Sequence, residues 1–383
     1  MSVSSDQQIE LKLLRESTRK FINKEITPYY NEWEKNQIFP RELWNKMGQA
    51  GMLCVDVPCD QEGYGAPFRF SAAITEELAY AGACSLAIAV SVHSDIVTPY
   101  VLNRGTTEQK NYWLPRMISG EAVGAIAMTE PGTGSDLASI TTSAIEHEDH
   151  YLINGAKTFI TNGQHADLTV IVAKTAPQLG SKGISLFLVD TLWPGFNKGR
   201  NLDKLGLHAS DTSELFFTDL KAPKDSLLGQ AGSGFAYLMQ ELPRERLIIA
   251  ALAVGATEGM LQWTLQYVSE RKAFKQTLGQ FQNTRFKLAE LKTSLEINRA
   301  FVNQCIEQLK EGELDVATAA MAKLSTTEMQ GQVADACLQM FGGYGYMTEY
   351  PIARAFADAR VQRIYGGTSE IMKEIIARSM LGK

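Results

Sequence analysis

The sequence predicts an α+β protein in three consecutive parts: an N-terminal α-helical domain over 1–120, a middle β-barrel domain over 121–231 and a C-terminal α-helical bundle over 232–383. Three observations carry that division. Apolar residues recur at helical spacing up to about residue 120. Short runs rich in Val, Ile and aromatics, separated by turn residues, follow as far as 231. Long helical segments then return after Gly232. A chain of 383 residues suffices for two or three packed units.

In the first part, Ile9, Leu11, Leu13, Leu14, Phe21 and Ile22 mark an opening helix. Pro40, ahead of Glu42, Leu43 and Met47, starts another. Ser71 opens an apolar helix through Ala89, and the almost uncharged run 85–102 predicts burial on all sides. His93 within that run reads as a hydrogen-bonded core residue. Thr107 opens a further short helix.

In the second part, Val123–Met128, Tyr151–Lys157, Thr158–Thr161, Leu168–Ala173, Ile184–Val189 and Leu215–Phe217 read as strands, the last ended by Thr218-Asp219. His147 and His150 fall between two of them and read as a solvated hairpin turn, not a metal pair. In the third part, Phe235–Glu241 forms a first segment that Pro243 interrupts, because proline lacks an N–H and clashes with the preceding turn. A long apolar helix then runs toward Arg271, and helices fit 283–310, 315–341, 350–361 and 367–380.

Composition removes several function classes. The net charge of -6 and the lack of a Lys/Arg block argue against nucleic acid. Five cysteines, Cys54, Cys59, Cys84, Cys305 and Cys337, form no Cys-x-x-Cys, which fits a reducing, cytoplasmic setting. The opening Met1–Gln8 is polar and has no signal-peptide order. No apolar run is expected to span a membrane; the longest, Leu247–Gly259, reads as a buried helix.

The stretch Ala127-Met-Thr-Glu-Pro-Gly-Thr-Gly-Ser-Asp136 can cradle a phosphate or a polar ring edge, since glycines let backbone N–H groups approach an anion. Alone it is equally a turn. It does not stand alone. Lys157-Thr-Phe-Ile-Thr-Asn-Gly163, Glu270-Arg-Lys-Ala-Phe274 with Gln282, Gln339-Met-Phe-Gly-Gly-Tyr-Gly345, Thr348-Glu-Tyr-Pro351 and Ile364-Tyr-Gly-Gly-Thr-Ser-Glu370 follow in order. Together these segments resemble the acyl-CoA dehydrogenase family over nearly the whole chain. The long-chain and isovaleryl branch is most similar, through Gln240-Glu-Leu-Pro-Arg-Glu-Arg246 and Tyr365–Glu374.

The resemblance implies bound FAD, oxidation of an acyl-CoA thioester to the trans-2-enoyl thioester, electron transfer to an electron-transfer flavoprotein, and a homotetramer built as a dimer of dimers. Such chemistry needs a carboxylate to take the weakly acidic α-proton in a dry site, and donors aimed at the carbonyl oxygen as it gains charge. Many family members place the base just before the glycine of a Tyr-Glu-Gly-Thr motif. Here that position is Gly366, which cannot take a proton. The resemblance therefore implies Glu245, followed by Arg246, as base on an earlier helix. Glu241 and Glu374 are weaker rivals, and Glu370 matches a cofactor contact. On the same grounds Gly366→Glu in a Glu245→Gly background is expected to restore some activity.

Residue by residue, the resemblance implies that Met128 and Thr129 touch the flavin ring, with Gly134 in the same loop. Ser135 is shared between pyrophosphate and substrate, Phe159 packs on the ring, and Thr161 lies near N5. Arg271, Phe274 and Gln282 contact the cofactor of the neighbouring subunit; Gln339, Gly342 and Gly343 lie on the adenine side; Thr368 and Glu370 contact adenosine. The Gly366 N–H helps form the oxyanion site, and Arg246 and Tyr365 belong to the substrate site. Tyr237, Met239, Leu242 and Tyr365 are candidates for setting chain length. Two departures are local: Lys275 stands where the family usually has glycine, and Glu62-Gly-Tyr-Gly-Ala66 varies an N-terminal pattern. Other activities compatible with the motifs are dehydrogenation of a carrier-protein-bound acyl thioester, a flavin oxidase or monooxygenase on the same scaffold, and a catalytically silent flavin-binding protein.

Overall fold

The computed structural model describes residues 5–382; Met1–Ser4, on which part of the signal-peptide expectation rests, and Lys383 lie outside them. Helices come first: α1 (Ser5–Phe21), α2 (Tyr30–Asn36), α3 (Glu42–Gln49), α4 (Phe68–Tyr80), α5 (Cys84–Ser91), α6 (Thr98–Arg104) and α7 (Thr107–Ser119). The single helix expected from Ser71 to Ala89 is two, because Gly82 turns the chain at φ +81° between α4 and α5. A π-helical turn, Val92–Val97, joins α5 to α6, so that Cys84–Arg104 forms one continuous apolar rod. Helix α7 opens on a capping box, with Thr106 Oγ1 accepting from the Gln109 N–H at 3.2 Å and Gln109 Oε1 from the Thr106 N–H at 2.9 Å.

The middle region holds β1 (Gly124–Ala127), β2 (Ser143–Glu146), β3 (His150–Thr161), β4 (Leu168–Lys174), β5 (Ile184–Asp190), β6 (Phe196–Asn201), β7 (Thr212–Pro223) and β8 (Leu227–Leu228). They form one eight-stranded sheet in the order β6-β7-β3-β2-β4-β5-β8, with β1 added parallel to β4. Strand β7 does not end at Thr218-Asp219. Asp219 takes φ +48° at a bulge, and its N–H finds Asn154 Oδ1 at 2.8 Å, so the strand continues. Strand β4 is buried on both faces. Leu168, Val170 and Val172 join the core of the helical domain, and Ile171 and Ala173 join the core of the sheet with Phe187 and Val189. His147 lies exposed in the β2–β3 turn and His150 opens β3 half-buried, with the His147 N–H donating to His150 O at 2.8 Å.

The last region comprises α8 (Gly234–Glu270), a hairpin of β9 (Lys272–Ala273) and β10 (Gln276–Thr277), then α9 (Gln282–Glu311), α10 (Val316–Phe341), α11 (Pro351–Val361) and α12 (Ser369–Leu381). Here the sequence expectation fails once: α8 runs unbroken through Pro243. Burial of both sides of the helix outweighs the lost hydrogen bond. Arg244 is tied to Asp56 and Asp95, and Gly255 and Gly259 lie so close to the α4 backbone that an added Cβ would fall 2.5 Å from Glu76 O and 2.2 Å from Tyr80 O. A second correction follows. Cys84–Arg104 and Gly234–Glu270 are both long and apolar enough to cross a membrane, but 94% and 83% of their most apolar windows are buried inside the fold.

His93 lies where the helical region meets the sheet. Its Nδ1 accepts from the Gly124 N–H at 3.0 Å, which leaves Nε2–H to donate to Met117 O at 3.0 Å. Burial holds it neutral, with a pKa of about 4.

Candidate active site

Two groups of the sequence-predicted residues come together at opposite ends of α8. At its N-terminal end Glu245 is 3% exposed, and Tyr100 on α6 donates its hydroxyl to Glu245 Oε1 at 2.8 Å. Burial pushes the Glu245 carboxyl up to about 7; the Tyr100 bond pulls it down, the Glu241 charge raises it and Arg246 lowers it. Glu241, the rival base, is held by Asn103 Nδ2 at 2.9 Å. Glu374 is exposed and paired with Arg378.

Arg246 is 4% exposed, yet its buried Nε and Nη1 have no hydrogen-bond partner. A buried guanidinium in that state is costly unless something else occupies its front.

Gly366 reaches the same face of α8. It lies against Ile249, one helical turn beyond Glu245, and an added Cβ would stand 2.4 Å from Ile249 Cδ1. Gly366 and Gly367 take φ +63° and +96°, backbone that glycine adopts without strain. Thr368 caps α12 by accepting from the Ile371 N–H at 3.3 Å, and Glu370 sits exposed in its first turn. Tyr365 donates to Gln362 Oε1 at 2.7 Å and, with Met128, Tyr237 and Met239, packs half-buried against the large apolar core. Leu242 is half-buried on α8.

The loop from Met128 to Ser135 is built on a buried ion pair. Lys157 is fully buried; its Nζ donates to Glu130 Oε1 at 3.0 Å and to Met128 O at 2.9 Å. Glu130 also accepts from the Thr141 N–H, the Thr141 hydroxyl and the Thr142 N–H at 2.6–2.9 Å. Burial pushes its carboxyl up, but the threonine bonds and the Lys157 charge outweigh this and hold it at about 2. Glu130 and Thr133 close a tight turn, with backbone bonds of 2.9 and 3.1 Å around Pro131 and Gly132. The Thr129 carbonyl accepts from the Thr158 N–H at 3.0 Å. Next door, Phe159 is 67% exposed at φ +60°, a strained and uncovered aromatic, and Thr161 is half-buried at the end of β3.

At the C-terminal end of α8, Tyr267, Arg271, Leu278, Gln339, Gly342, Gly343 and Tyr344 line a cavity of about 570 Å³. Phe274 and Gln282 are exposed beside it and do not reach the Glu245 end. The departure at Lys275 leaves the turn intact: Phe274 and Lys275 take φ +51° and +69°, the left-handed pair a two-residue hairpin requires.

These features fit a dinucleotide flavin. An added Cβ would meet nothing within 4 Å at Gly132, Gly342 or Gly343, so a ligand can approach the backbone closely there, although the Gly342 N–H itself donates to Gln339 O. The uncovered Phe159 offers a ring face, and Arg271 offers charge.

Sequence reasoning missed Tyr100, Asn103, the Glu130–Lys157 pair and Lys323. Lys323 carries the one available signal, a charge following the alanine-rich run Ala317–Ala322 of α10.

The fold and site define a flavin-dependent oxidoreductase of helix–sheet–helix architecture. Residues 8–121, 125–220 and 232–381 match the N-terminal, middle and C-terminal domains of acyl-CoA dehydrogenase. The chain is 49% identical over 371 residues to the mitochondrial long-chain specific acyl-CoA dehydrogenase of Rattus norvegicus, covering 96% of this chain and 86% of that one. Among solved structures it is similar to an acyl-CoA dehydrogenase from Geobacillus kaustophilus, with a TM-score of 0.95, 49% identity, and 97% and 98% of the two chains covered. It also resembles a structure described as an electron transferring flavoprotein of Acidaminococcus fermentans, with TM-score 0.95, 34% identity and both chains fully covered. A glutaryl-CoA dehydrogenase from Mycobacterium smegmatis in complex with FADH2 matches with TM-score 0.93, 28% identity, and 100% and 96% covered.

The chain belongs to the acyl-CoA dehydrogenase family. It catalyses flavin-dependent dehydrogenation of acyl-CoA thioesters, with FAD as cofactor.

Proposed function

We propose that Glu245 is the base that removes the α-proton of a long-chain acyl-CoA, giving the trans-2-enoyl-CoA. The observation that carries this is a lone arrangement: a buried carboxylate raised to about 7, on the same helix face as the Gly366 loop, which itself has no acid. Near neutral pH such a carboxylate is ionised in part and basic enough to take a weakly acidic proton. The Gly366 N–H is the donor to the thioester oxygen, and Arg246, whose buried Nε and Nη1 have no partner, adds positive charge nearby. Bound FAD supplies the acceptor for the β-hydride. Around it, Met128, Thr129, Gly134, Ser135, Phe159 and Thr161 hold the flavin end, and Gln339, Gly342, Gly343, Thr368 and Glu370 the adenosine end. Arg271, Phe274 and Gln282 serve the cofactor of a neighbouring subunit.

Long acyl chains and coenzyme A as carrier are supported by the rat relative at 49% identity. An electron-transfer flavoprotein as acceptor is supported by the Acidaminococcus fermentans similarity. A homotetramer is supported by large apolar side chains left exposed in the C-terminal region, among them Phe274 at 91% and Tyr346 at 81%. A cytoplasmic setting is supported by five cysteines that are all free.

The test is Glu245→Gln with FAD retained, mixed anaerobically with hexadecanoyl-CoA and followed at the flavin band. Bleaching is expected to slow by about 10³-fold or more, as for loss of a group that makes or breaks a bond. Bleaching at the wild-type rate rules Glu245 out.

A further inference from the structure

Lys323, on α10, is fully buried and, among the described residues, forms no ion pair with a carboxylate. Its Nζ makes one hydrogen bond, to the Gly367 carbonyl at 2.7 Å. By contrast Lys157, equally buried, is neutralised by Glu130. Arg246 opposes the Lys323 charge, and only the more remote Glu328 and Glu370 favour it. The Glu328 carboxylate is already taken by Ser369 Oγ at 2.7 Å and Arg363 Nη1 at 3.2 Å. An ammonium buried on those terms weakens the fold, and any apolar residue of similar length would pack there at lower cost.

The bond falls at an informative place. Before Gly366 the chain is fixed by the Ile364 and Tyr365 N–H groups, which donate to Val361 O at 2.8 and 3.2 Å. After Gly367 it is fixed by the Ser369 N–H on Arg363 O at 3.1 Å. Between these anchors lie two consecutive glycines, the softest torsions in the loop. Among the described residues the Gly366 N–H donates to no protein acceptor. Among the described residues, the bond from Lys323 to the Gly367 carbonyl is the hydrogen bond made by these two glycines, which otherwise only pack against Ile249 and Met372.

We propose that Lys323 is a positioning residue for the reaction: by holding the Gly367 carbonyl it keeps the Gly366 N–H aimed at the thioester oxygen before charge develops there. The inference rests on Gly366 being the oxyanion donor. A donor held in place beforehand stabilises the transition state without reorganising; one free to swing does not.

The experiment compares FAD-replete wild type, Lys323→Met and Glu245→Gln. Steady-state rates are read with hexadecanoyl-CoA. The ionisation of bound 3-oxohexadecanoyl-CoA, whose acidic α-carbon gives an enolate, is read by its absorbance against pH. For Lys323→Met we expect a kcat loss of about tenfold to a hundredfold, with KM within about twofold, as for a misplaced catalytic group. The enolate midpoint is expected to rise by about one pH unit, one unit being a tenfold weaker hold on the charged form. Wild-type kcat together with an unmoved midpoint overturns the proposal. If Lys323→Met does not retain FAD, Lys323→Arg decides: it keeps the charge but displaces the donor. A fall in kcat with a raised midpoint supports the proposal, and wild-type values overturn it. The assignment of the base fails separately, through wild-type bleaching in Glu245→Gln, whatever the Lys323 variants do.

Discussion

Tyr100 and Glu245 are 145 positions apart in the chain and 2.8 Å apart in the fold. The hydroxyl favours the ionised carboxylate, so removing it raises a pKa that already stands at about 7. Activity that needs ionised Glu245 rises with pH through that value. For Tyr100→Phe the acid limb of kcat/KM is therefore expected to move to higher pH by up to about one unit, the size of one modest hydrogen bond. A limb that stays in place between pH 5.5 and 8.5 contradicts this. The sign for stability is opposite to that of an ordinary surface carboxylate. A folded pKa above 4.5 makes ionisation unfavourable in the fold, so this contribution is present below 4.5 and lost as pH rises through 7. The proposal of Glu245 as base came from the sequence, through its place before Arg246 and the glycine at 366, and its burial supports it. Its partner was not, because a tyrosine in an uncharged helical run carries no local sign of what it faces.

Gly366 is where the residue scale most changes an expectation. A glutamate there would have its Cβ 2.4 Å from Ile249 Cδ1 and its backbone at φ +63°. The simple exchange, Glu245→Gly with Gly366→Glu, is therefore expected to recover less activity than one in which Ile249 also makes room. Adding Ile249→Ala should raise flavin bleaching with acyl-CoA, still at least about tenfold below wild type because non-glycine residues at positive φ cost about 1 kcal/mol or more. Equal activity with and without the Ile249 change would show that the isoleucine is no barrier.

At the scale of elements, the flavin loop depends on the Glu130–Lys157 pair joining it to β3. Breaking a buried pair leaves one group unmatched. Glu130→Gln is thus expected to destabilise the protein by roughly 3–5 kcal/mol, read as a lower urea midpoint and weaker FAD retention. A variant as stable as wild type, with FAD held normally, would remove the pair from this role. Since the Glu130 carboxyl is held at about 2, its contribution is present above 4.5 and fades as pH falls toward 2. The sequence read Tyr151–Lys157 and Thr158–Thr161 as strands, which the structure joins into one β3, but it showed no link from there to the Met128–Ser135 loop, since nothing in Thr129-Glu130-Pro131 distinguishes a buried acid from a turn residue. Proline misled in the other direction. Pro243 reads locally as a stop, and only the packing around Arg244, Gly255 and Gly259 shows why the helix continues.

For the whole molecule, the order of helices, strands and helices was legible because the apolar period changes from 3.6 to 2 and back. The divisions at 120/121 and 231/232 stand as our proposal, supported by β1 starting at Gly124 and α8 at Gly234. Strand order was not legible, nor was which face of β4 meets which core, because both depend on distant partners. The run 85–102 was legible as buried on all sides, but not as one rod, Cys84–Arg104, long and apolar enough to cross a membrane.

The unbroken course of α8 also acts as a strut. Glu245 and Arg271 are separated by about 39 Å of helix at 1.5 Å per residue. The Glu245 end and the cavity lined by Arg271 and Gln339 are therefore parts of one frame. A break at Pro243 would leave this stretch whole and uncouple only the residues before it, Tyr237 and Met239 among them. Because α8 is continuous from Glu245 to the cavity, a displacement of the cavity rim is expected to be felt along its axis at Glu245.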